Sequence, residues 1–338
     1  MSDVIFELKN VKKWFPARRN LGQLLSGERK WIKAVDGVSL KIKRGEIFGL
    51  IGESGCGKTT TGKLIMKLME PSDGQIIFNG EDVTHLDKER LGQYKRNVQM
   101  IFQDPYASMN PRFRAVDVLT EPLEIHGIGK SKAEREELAA KALEAVKLTP
   151  PEDFLGRYAH MLSGGQRQRL ATARTLILSP DFIVADEPVS MIDLSTRAEI
   201  LHMMKEVQQS MGLTYLYITH DLSTARYFTD RIAVMYLGKI VEMGYADDLI
   251  DKAKHPYTKA LISAVCEPVS GKVNQSKEVP IKGEIPSAAN IPEGCRFHPR
   301  CLYAKPECMQ GEDPELQEVE NGHYVACIRY KEIEEMGK

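Results

Sequence analysis

Apolar and polar positions change period several times along the chain. Residues 46–52 (EIFGLIG) form a short apolar run, ended by glycines, that predicts a strand. A glycine-rich loop follows. Residues 58–69 (KTTTGKLIMKLM) then repeat apolar residues at helical spacing. Residues 74–80 (GQIIFNG) and 97–103 (NVQMIFQ) predict further strands between turn residues. Over about 115–160 the pattern becomes helical, most clearly at 131–148, where Ala, Leu and Val recur every three to four positions. Strand patterns return at 181–186 (DFIVAD), 214–219 (TYLYIT), RIAVMY and KIVEMG, with a helix over 194–210. Residues 1–85 otherwise predict short strands and turns. Strands alternating with helices predict an α/β fold with a mostly parallel sheet, and the block at 115–160 an insertion into it. One more helix is expected at 255–265. Beyond it Pro, Gly and Cys become frequent and periodicity fades, so residues 251–338 are expected to be a separate C-terminal module.

Composition changes this picture little. The 338 residues are 42% hydrophobic and 28% charged with a net charge of −1, which does not suggest a nucleic-acid partner. No apolar run approaches the roughly 18 residues of a membrane span. The start, MSDVIFELKN, lacks the layout of a signal peptide, so the expected place is the cytosol, where thiols stay reduced.

Gly52 to Thr60 (GESGCGKTT) fits the phosphate-loop pattern G-x-x-x-x-G-K-[ST], with a strand before it and a helix after. Gly52, Gly55 and Gly57 let the backbone wrap closely, with Ser54, Cys56 and Thr60 completing the loop, and aim N–H groups at phosphate oxygens. The helix start adds a positive dipole end. Lys58 would reach the β- and γ-phosphates, and Thr59 would offer its hydroxyl to Mg²⁺. Downstream, FIVADEP (182–188) is an apolar strand ending in two carboxylates. Asp186 would hold Mg²⁺, through water, and Glu187 would polarise the attacking water.

The stretch LSGGQRQR (162–169) resembles the signature of ABC-transporter ATPases, and the resemblance extends over nearly the whole chain. It implies a P-loop NTPase ABC core, RecA-like with a helical subdomain at about 104–165, within a nucleotide-binding domain of residues 1–250. It implies that two such domains face head to tail. Ser163, Gly164, Gly165 and Gln166, at the start of a helix over about 164–178, would then serve ATP held by the partner's phosphate loop. Gln103 in IFQD would sense Mg²⁺ or the attacking water, Asp193 would occupy the D-loop, and His220 in ITHD would contact the γ-phosphate. In VKKWF (11–15), Phe15 matches the aromatic that stacks on adenine, with Trp14 as the alternative. One departure is SMID (190–193), where the family has Ser-Ala-Leu-Asp; it would tune coupling between the two ATP sites or be simple repacking, which the near-equal volumes of Leu and Ile favour.

HPYTKAL (255–261) and GEIPSAANIPEGCRFHPRC (283–301) resemble the C-terminal region of oligopeptide/dipeptide importers. VQMIFQDPYASMNPR (98–112) and the long insert before KAVDGVSL (33–40) resemble that branch's F-like ATPase. The implied assembly pairs it with a D-like ATPase beneath two transmembrane permease subunits, fed by an extracytoplasmic substrate-binding protein. The chain would lie peripherally on the cytoplasmic face of the membrane, with peptides, oligosaccharides or nickel as cargo. The alternative is a soluble, non-transport ABC ATPase; those usually carry two cassettes or a long coiled coil, and neither is present. From Lys9 to Lys33 there are eight Lys or Arg against Glu28, which fits a solvated loop or contact with lipid headgroups.

Cys295, Cys301, Cys308 and Cys327 follow the spacing C-x5-C-x6-C-x18-C. Four thiolates fit an iron–sulfur cluster or zinc, and structural zinc prefers closer pairs. His298 can substitute at one position. The resemblance implies a [4Fe–4S] cluster, with zinc or unligated thiols as alternatives. Cys56 and Cys266 are expected to be small packing residues.

Overall fold

The computed structural model describes residues 3–17, 30–264 and 281–336. Residues 18–29 of the basic insert and Cys266 lie outside them.

Along the chain come β1 (Val4–Pro16), β2 (Trp31–Lys43), β3 (Ile47–Ile51), α1 (Lys58–Ile65), β4 (Asp73–Phe78), β5 (Glu81–Asp82), α2 (Lys88–Asn97) and β6 (Val98–Ile101). The helical stretch holds α3 (Ala115–Ile125), α4 (Lys132–Ala145), the short α5 (Glu152–Leu155) and α6 (Gly164–Leu176). Then follow β7 (Phe182–Asp186), α7 (Leu194–Met211), β8 (Thr214–Thr219), α8 (Leu222–Phe228), β9 (Arg231–Tyr236), β10 (Lys239–Tyr245), α9 (Ala246–Asp251) and α10 (Pro256–Ala264). The chain closes with β11 (Gln317–Glu320), β12 (His323–Val325) and α11 (Tyr330–Met336).

The chain divides into two units. The first joins Met1–Ile42, Phe48–His85 and Thr219–Lys338. In it β1, β2, β4 and β5 form a sheet in the order β2-β1-β4-β5, with β1/β4 and β4/β5 antiparallel. β3 pairs in parallel with β9, Leu50 opposite Ala233, and β10, β12 and β11 continue antiparallel from β9. Every residue of β3 is buried, as its continuous apolar run requires of a strand covered on both faces. A core of Ile51, Val234, Tyr236, Leu249, Tyr257 and Phe297 ties this sheet to the C-terminal segment, and Cys295 and Cys301 pack against it.

The second unit is Lys43–Ile47 with Leu86–Ile218. Here β6, β7 and β8 are parallel, with Val184 between Met100 and Leu216. α4 begins at a true N-cap, the Ser131 hydroxyl accepting from Glu134 N at 3.2 Å.

Two expectations are corrected. β3/β9, β6/β7 and β7/β8 pair in parallel while β9/β10, β10/β12, β11/β12, β1/β4 and β4/β5 pair antiparallel, so the sheets are mixed rather than mostly parallel. The reason is local: the two-residue turn at Leu237 and Gly238, both at positive φ, folds β10 directly back on β9. The start of the chain is also not a set of short strands, since β1 and β2 each run 13 residues. A register shift between Lys9 and Lys12, with Asn10 at φ 48°, bends β1 without ending it.

Candidate functional site

The nucleotide loop belongs to the first unit. β3 delivers the chain to Gly52 and α1 leaves at Lys58. Gly57 caps α1 at φ 114°, and a Cβ there would lie 2.1 Å from the Ala34 carbonyl oxygen. Only glycine fits that close approach. Ser54, Gly55 and Thr59 are exposed, Glu53 and Thr60 half-buried, and Gly52, Cys56, Gly57 and Lys58 buried. The Lys58 ammonium donates to the carbonyls of Gly52 at 2.7 Å and Glu53 at 3.0 Å, and lies 3.9 Å from the Cys56 sulfur. A cation is thus fixed inside a ring of backbone, suited to polyphosphate. Burial pushes the Cys56 thiol up, against the pull of Lys58, so it is a neutral packing group as expected.

Near the end of β1, Trp14 and Phe15 are both half-buried. The Trp14 indole donates to Asp36 Oδ1 at 2.9 Å, and the Lys33 ammonium sits 4.9 Å from its ring centroid. The Lys13 ammonium lies 5.5 Å from the Phe15 ring. His220 is exposed in the link between β8 and α8, which Asp221 caps by accepting from Ser223 N and Thr224 N.

The second unit holds the two carboxylates at the end of β7. β7 is buried throughout and places Asp186, itself buried, at its end. Glu187 follows at φ 47°, a left-handed backbone that costs a β-carbon residue about 1–2 kcal/mol. It is held there by its N–H donating to Ile218 O at 2.8 Å, and by Ser190, whose N–H and hydroxyl both donate to the Glu187 carbonyl. The strained backbone sits where strain commonly marks function. Gln103 Nε2 donates to Glu187 Oε2 at 2.9 Å, so residues 84 positions apart meet at the carboxylate.

The signature is in the same unit. Ser163 caps α6: its hydroxyl accepts from Gln166 N at 3.3 Å, and Gln166 Oε1 accepts from Ser163 N at 3.1 Å. Ser163 and Gly164 are exposed at this helix start, while Gly165 faces the Thr196 methyl. Asp193 is exposed and begins α7. In SMID, Ile192 is buried and Met191 is 62% exposed. Arg197 donates to the carbonyls of Ile192 and Ser190, fixing that turn. Arg167 went unnoticed in the sequence. Its buried guanidinium donates to the carbonyls of Ala159, His160 and Leu162 and stacks 3.4 Å from the Tyr106 ring centroid, locking the turn before Ser163. Its place between Gln166 and Gln168 gave no pattern to find it by.

The four cysteines do come together. Cys295, Cys301, Cys308 and Cys327 line one small cavity with His255, Phe297 and Arg329. They are free of disulfides and half-buried. Burial pushes the Cys295 thiol up to about 12 and Cys327 up to about 11, and raises Cys301 as well. His298 does not line this cavity; its Nδ1 lies 3.0 Å from the Cys295 carbonyl. Among the described residues no group of three or more His, Cys, Asp or Glu is arranged to hold a metal ion. Thiols are the donor type that iron–sulfur clusters and structural zinc both use.

The profile of the family described as ABC transporter matches residues 35–190. That of the oligopeptide/dipeptide transporter C-terminal region matches residues 241–308. An oligopeptide transport ATP-binding protein of Bacillus subtilis, AppF, is 46% identical over 97% of this chain and 98% of its own. A putative peptide import ATP-binding protein of Brucella ovis is 49% identical over 88% of this chain and 92% of its own. Among solved structures, the dimeric ATP-binding cassette MJ0796 bound to ADP and Pi has a TM-score of 0.62 at 30% identity. It covers 72% of this chain and 99% of its own. CbiO1 of Clostridium perfringens, at 23% identity and TM-score 0.63, shares the fold over 74% of this chain and 92% of its own. With identity near one half sustained over almost the full length, the chain belongs to the ABC-transporter ATPases, as an ATP-hydrolysing subunit of the oligopeptide/dipeptide transport branch.

Proposed function

We propose that this chain is the F-like ATPase of an importer for oligopeptides, dipeptides or oligosaccharides. It would work with a D-like ATPase, two transmembrane permease subunits and an extracytoplasmic substrate-binding protein, on the cytoplasmic face of the membrane. No described helix is long and apolar enough to cross a membrane. Residues 1–250 would form the nucleotide-binding domain, with the helical subdomain at about 104–165, and 251–338 the extension bearing the cysteines.

The observation that carries the catalytic assignment is the Gln103–Glu187 hydrogen bond at the end of β7. Glu187 takes the proton from the attacking water as its oxygen bonds to the γ-phosphorus and ADP leaves. Gln103 orients the carboxylate. Lys58 and the loop N–H groups balance the charge growing on the phosphate oxygens. His220 holds the γ-phosphate, and Phe15 stacks on adenine, since the Trp14 indole is engaged by Asp36. Thr59, Asp186 and Gln103 would hold Mg²⁺, which neutralises phosphate charge when bound. Ser163, Gly164, Gly165 and Gln166 act on the partner's nucleotide, and Asp193 lies in the segment between the two sites.

Four thiols around one cavity, none in a disulfide, support a [4Fe–4S] cluster held by Cys295, Cys301, Cys308 and Cys327. Loading it would release protons from Cys295, Cys301 and Cys327, whose thiols burial pushes up. One anaerobic purification from membranes tests both proposals. Permease subunits and a second ATPase should co-elute, with iron and sulfide near four each per chain. Recovery on ribosomes without membrane subunits refutes the importer, and zinc or no metal refutes the cluster.

A further inference from the structure

Two arginines that flank the cysteines tie into the nucleotide loop, Arg300 directly and Arg296 through a neighbouring turn. Arg300 directly precedes Cys301. Its two terminal nitrogens donate to the two carboxylate oxygens of Glu53, at 2.6 and 3.0 Å. Glu53 is the second residue of the phosphate loop. Its N–H donates to the Tyr257 hydroxyl at 2.9 Å, and its carbonyl accepts from Lys58 Nζ at 3.0 Å. One loop residue is therefore shared between the loop lysine and the C-terminal segment. The Arg300 side chain is 7% exposed, so this is a forked ion pair largely out of water. Such a pair fixes direction as well as distance.

Arg296 directly follows Cys295. It donates to the Leu237 carbonyl at 2.5 Å and to the Asp36 carboxylate, and pairs with Asp313 at 3.0 Å. Leu237 and Gly238 form the tight turn between β9 and β10. Gly238 N donates to the carbonyl of Cys56 at 2.9 Å, and Gly238 O accepts from Asp36 N at 2.9 Å. Burial alone would raise the Asp36 carboxyl, but Arg296, Lys33 and Trp14 outweigh it and hold it below the ordinary range. The C-terminal segment thus grips the loop twice, at Glu53 directly and at Cys56 through the turn. These are the peptide units that set where the loop N–H groups point. A loop already held in its phosphate-receiving shape loses less freedom on binding, which appears as affinity.

We propose that the cysteine-bearing segment is a clamp on the phosphate loop, with Arg300 and Arg296 as positioning residues that set the affinity for ATP rather than the rate of its hydrolysis. This rests on the loop being the nucleotide site. Binding is measured on the full chain with a fluorescent non-hydrolysable ATP analogue, and turnover on the assembled transporter. Arg300→Ala should weaken binding and raise KM about tenfold, close to 1.4 kcal/mol, with kcat at saturating ATP within about twofold. Arg300→Lys keeps the charge without the fork and should fall between. Glu53→Gln should weaken binding by a similar factor, and the double variant should be no weaker than Arg300→Ala alone. Unchanged affinity in Arg300→Ala, even with a lower melting temperature, overturns the proposal and leaves Arg300 a purely structural residue. So do effects that multiply in the double variant, or a loss confined to kcat. If Lys58→Ala binds the analogue as tightly as the unaltered chain, the nucleotide-site reading itself fails, a different result from any of these.

Discussion

His255 gives a quantitative test of how the C-terminal segment is held. It is 1% exposed, its ring centroid is 5.7 Å from that of Phe297, and its Nδ1 accepts from Tyr257 N at 3.1 Å. Burial drives its pKa down from 6.5 to about 4, against the opposing pull of Glu242 and Asp313. The native state therefore keeps the ring neutral while the unfolded chain takes a proton between those values. More protons bound in the unfolded state mean stability that rises with pH. The contribution is fully present above pH 6.5 and is lost as pH falls towards 4. A fall from 6.5 to about 4, at roughly 1.36 kcal/mol per pH unit, gives about 3 kcal/mol in all and about 2 kcal/mol by pH 5. Both tryptophans, Trp14 and Trp31, are in the same unit as His255, so fluorescence reports its unfolding. Urea denaturation at pH 7, 6 and 5 under reducing conditions should show the unaltered chain losing about 2 kcal/mol more than His255→Asn. The asparagine amide oxygen can still accept from Tyr257 N but does not titrate. Parallel losses in the two proteins would refute a buried neutral histidine as the source.

Two further substitutions probe the ATP site. Gly57→Ala sets a Cβ against the Ala34 carbonyl and a side chain at φ 114°, so it should cost about 1–3 kcal/mol from conformation alone and abolish nucleotide binding. Gly55→Ala, with open space around it, should cost about 1 kcal/mol and keep binding; equal melting shifts and affinities in the two would contradict the packing argument. Glu187→Gln should lower ATP turnover by roughly 10²–10⁴-fold while binding persists, read by steady-state hydrolysis beside equilibrium binding; near-normal hydrolysis would remove Glu187 from the catalytic role.

The phosphate loop and the acidic end of β7 were legible because their chemistry needs contiguous residues. Backbone N–H groups converge on an anion only when glycines, lysine and a helix start follow one another within nine positions. That Gln103 meets Glu187 was not legible, because nothing local in IFQD marks a partner 84 residues away; the resemblance implied only a sensor of Mg²⁺ or the attacking water. The lengths of β1 and β2 were missed because turn-type residues such as Asn10 and Gly37 lie inside them. β11 was missed because it has no alternation to detect: three of its four residues are exposed. α11 follows Cys327 with a single buried residue, Ile333.

The cysteine segment shows the opposite limit. Its sulfur was conspicuous, but what the segment does for the rest of the chain depends on Arg296 and Arg300, ordinary cations in a sequence that is 28% charged. Their partners Asp36 and Glu53 are 260 and 247 residues away. The core points the same way. Phe297 lies between Cys295 and Cys301 and packs on Tyr236 of β9 and Tyr257 of α10, with ring centroids 5.3 and 5.4 Å apart. Burying such a side chain contributes about 1.5–3 kcal/mol, an anchor that the short, turn-rich segment lacks on its own. Because Tyr236 directly precedes the turn that holds the Cys56 carbonyl, packing that secures the cysteines also secures the phosphate loop. A segment that first looks appended to the ATPase is, in physical terms, part of the wall on which its nucleotide loop is built.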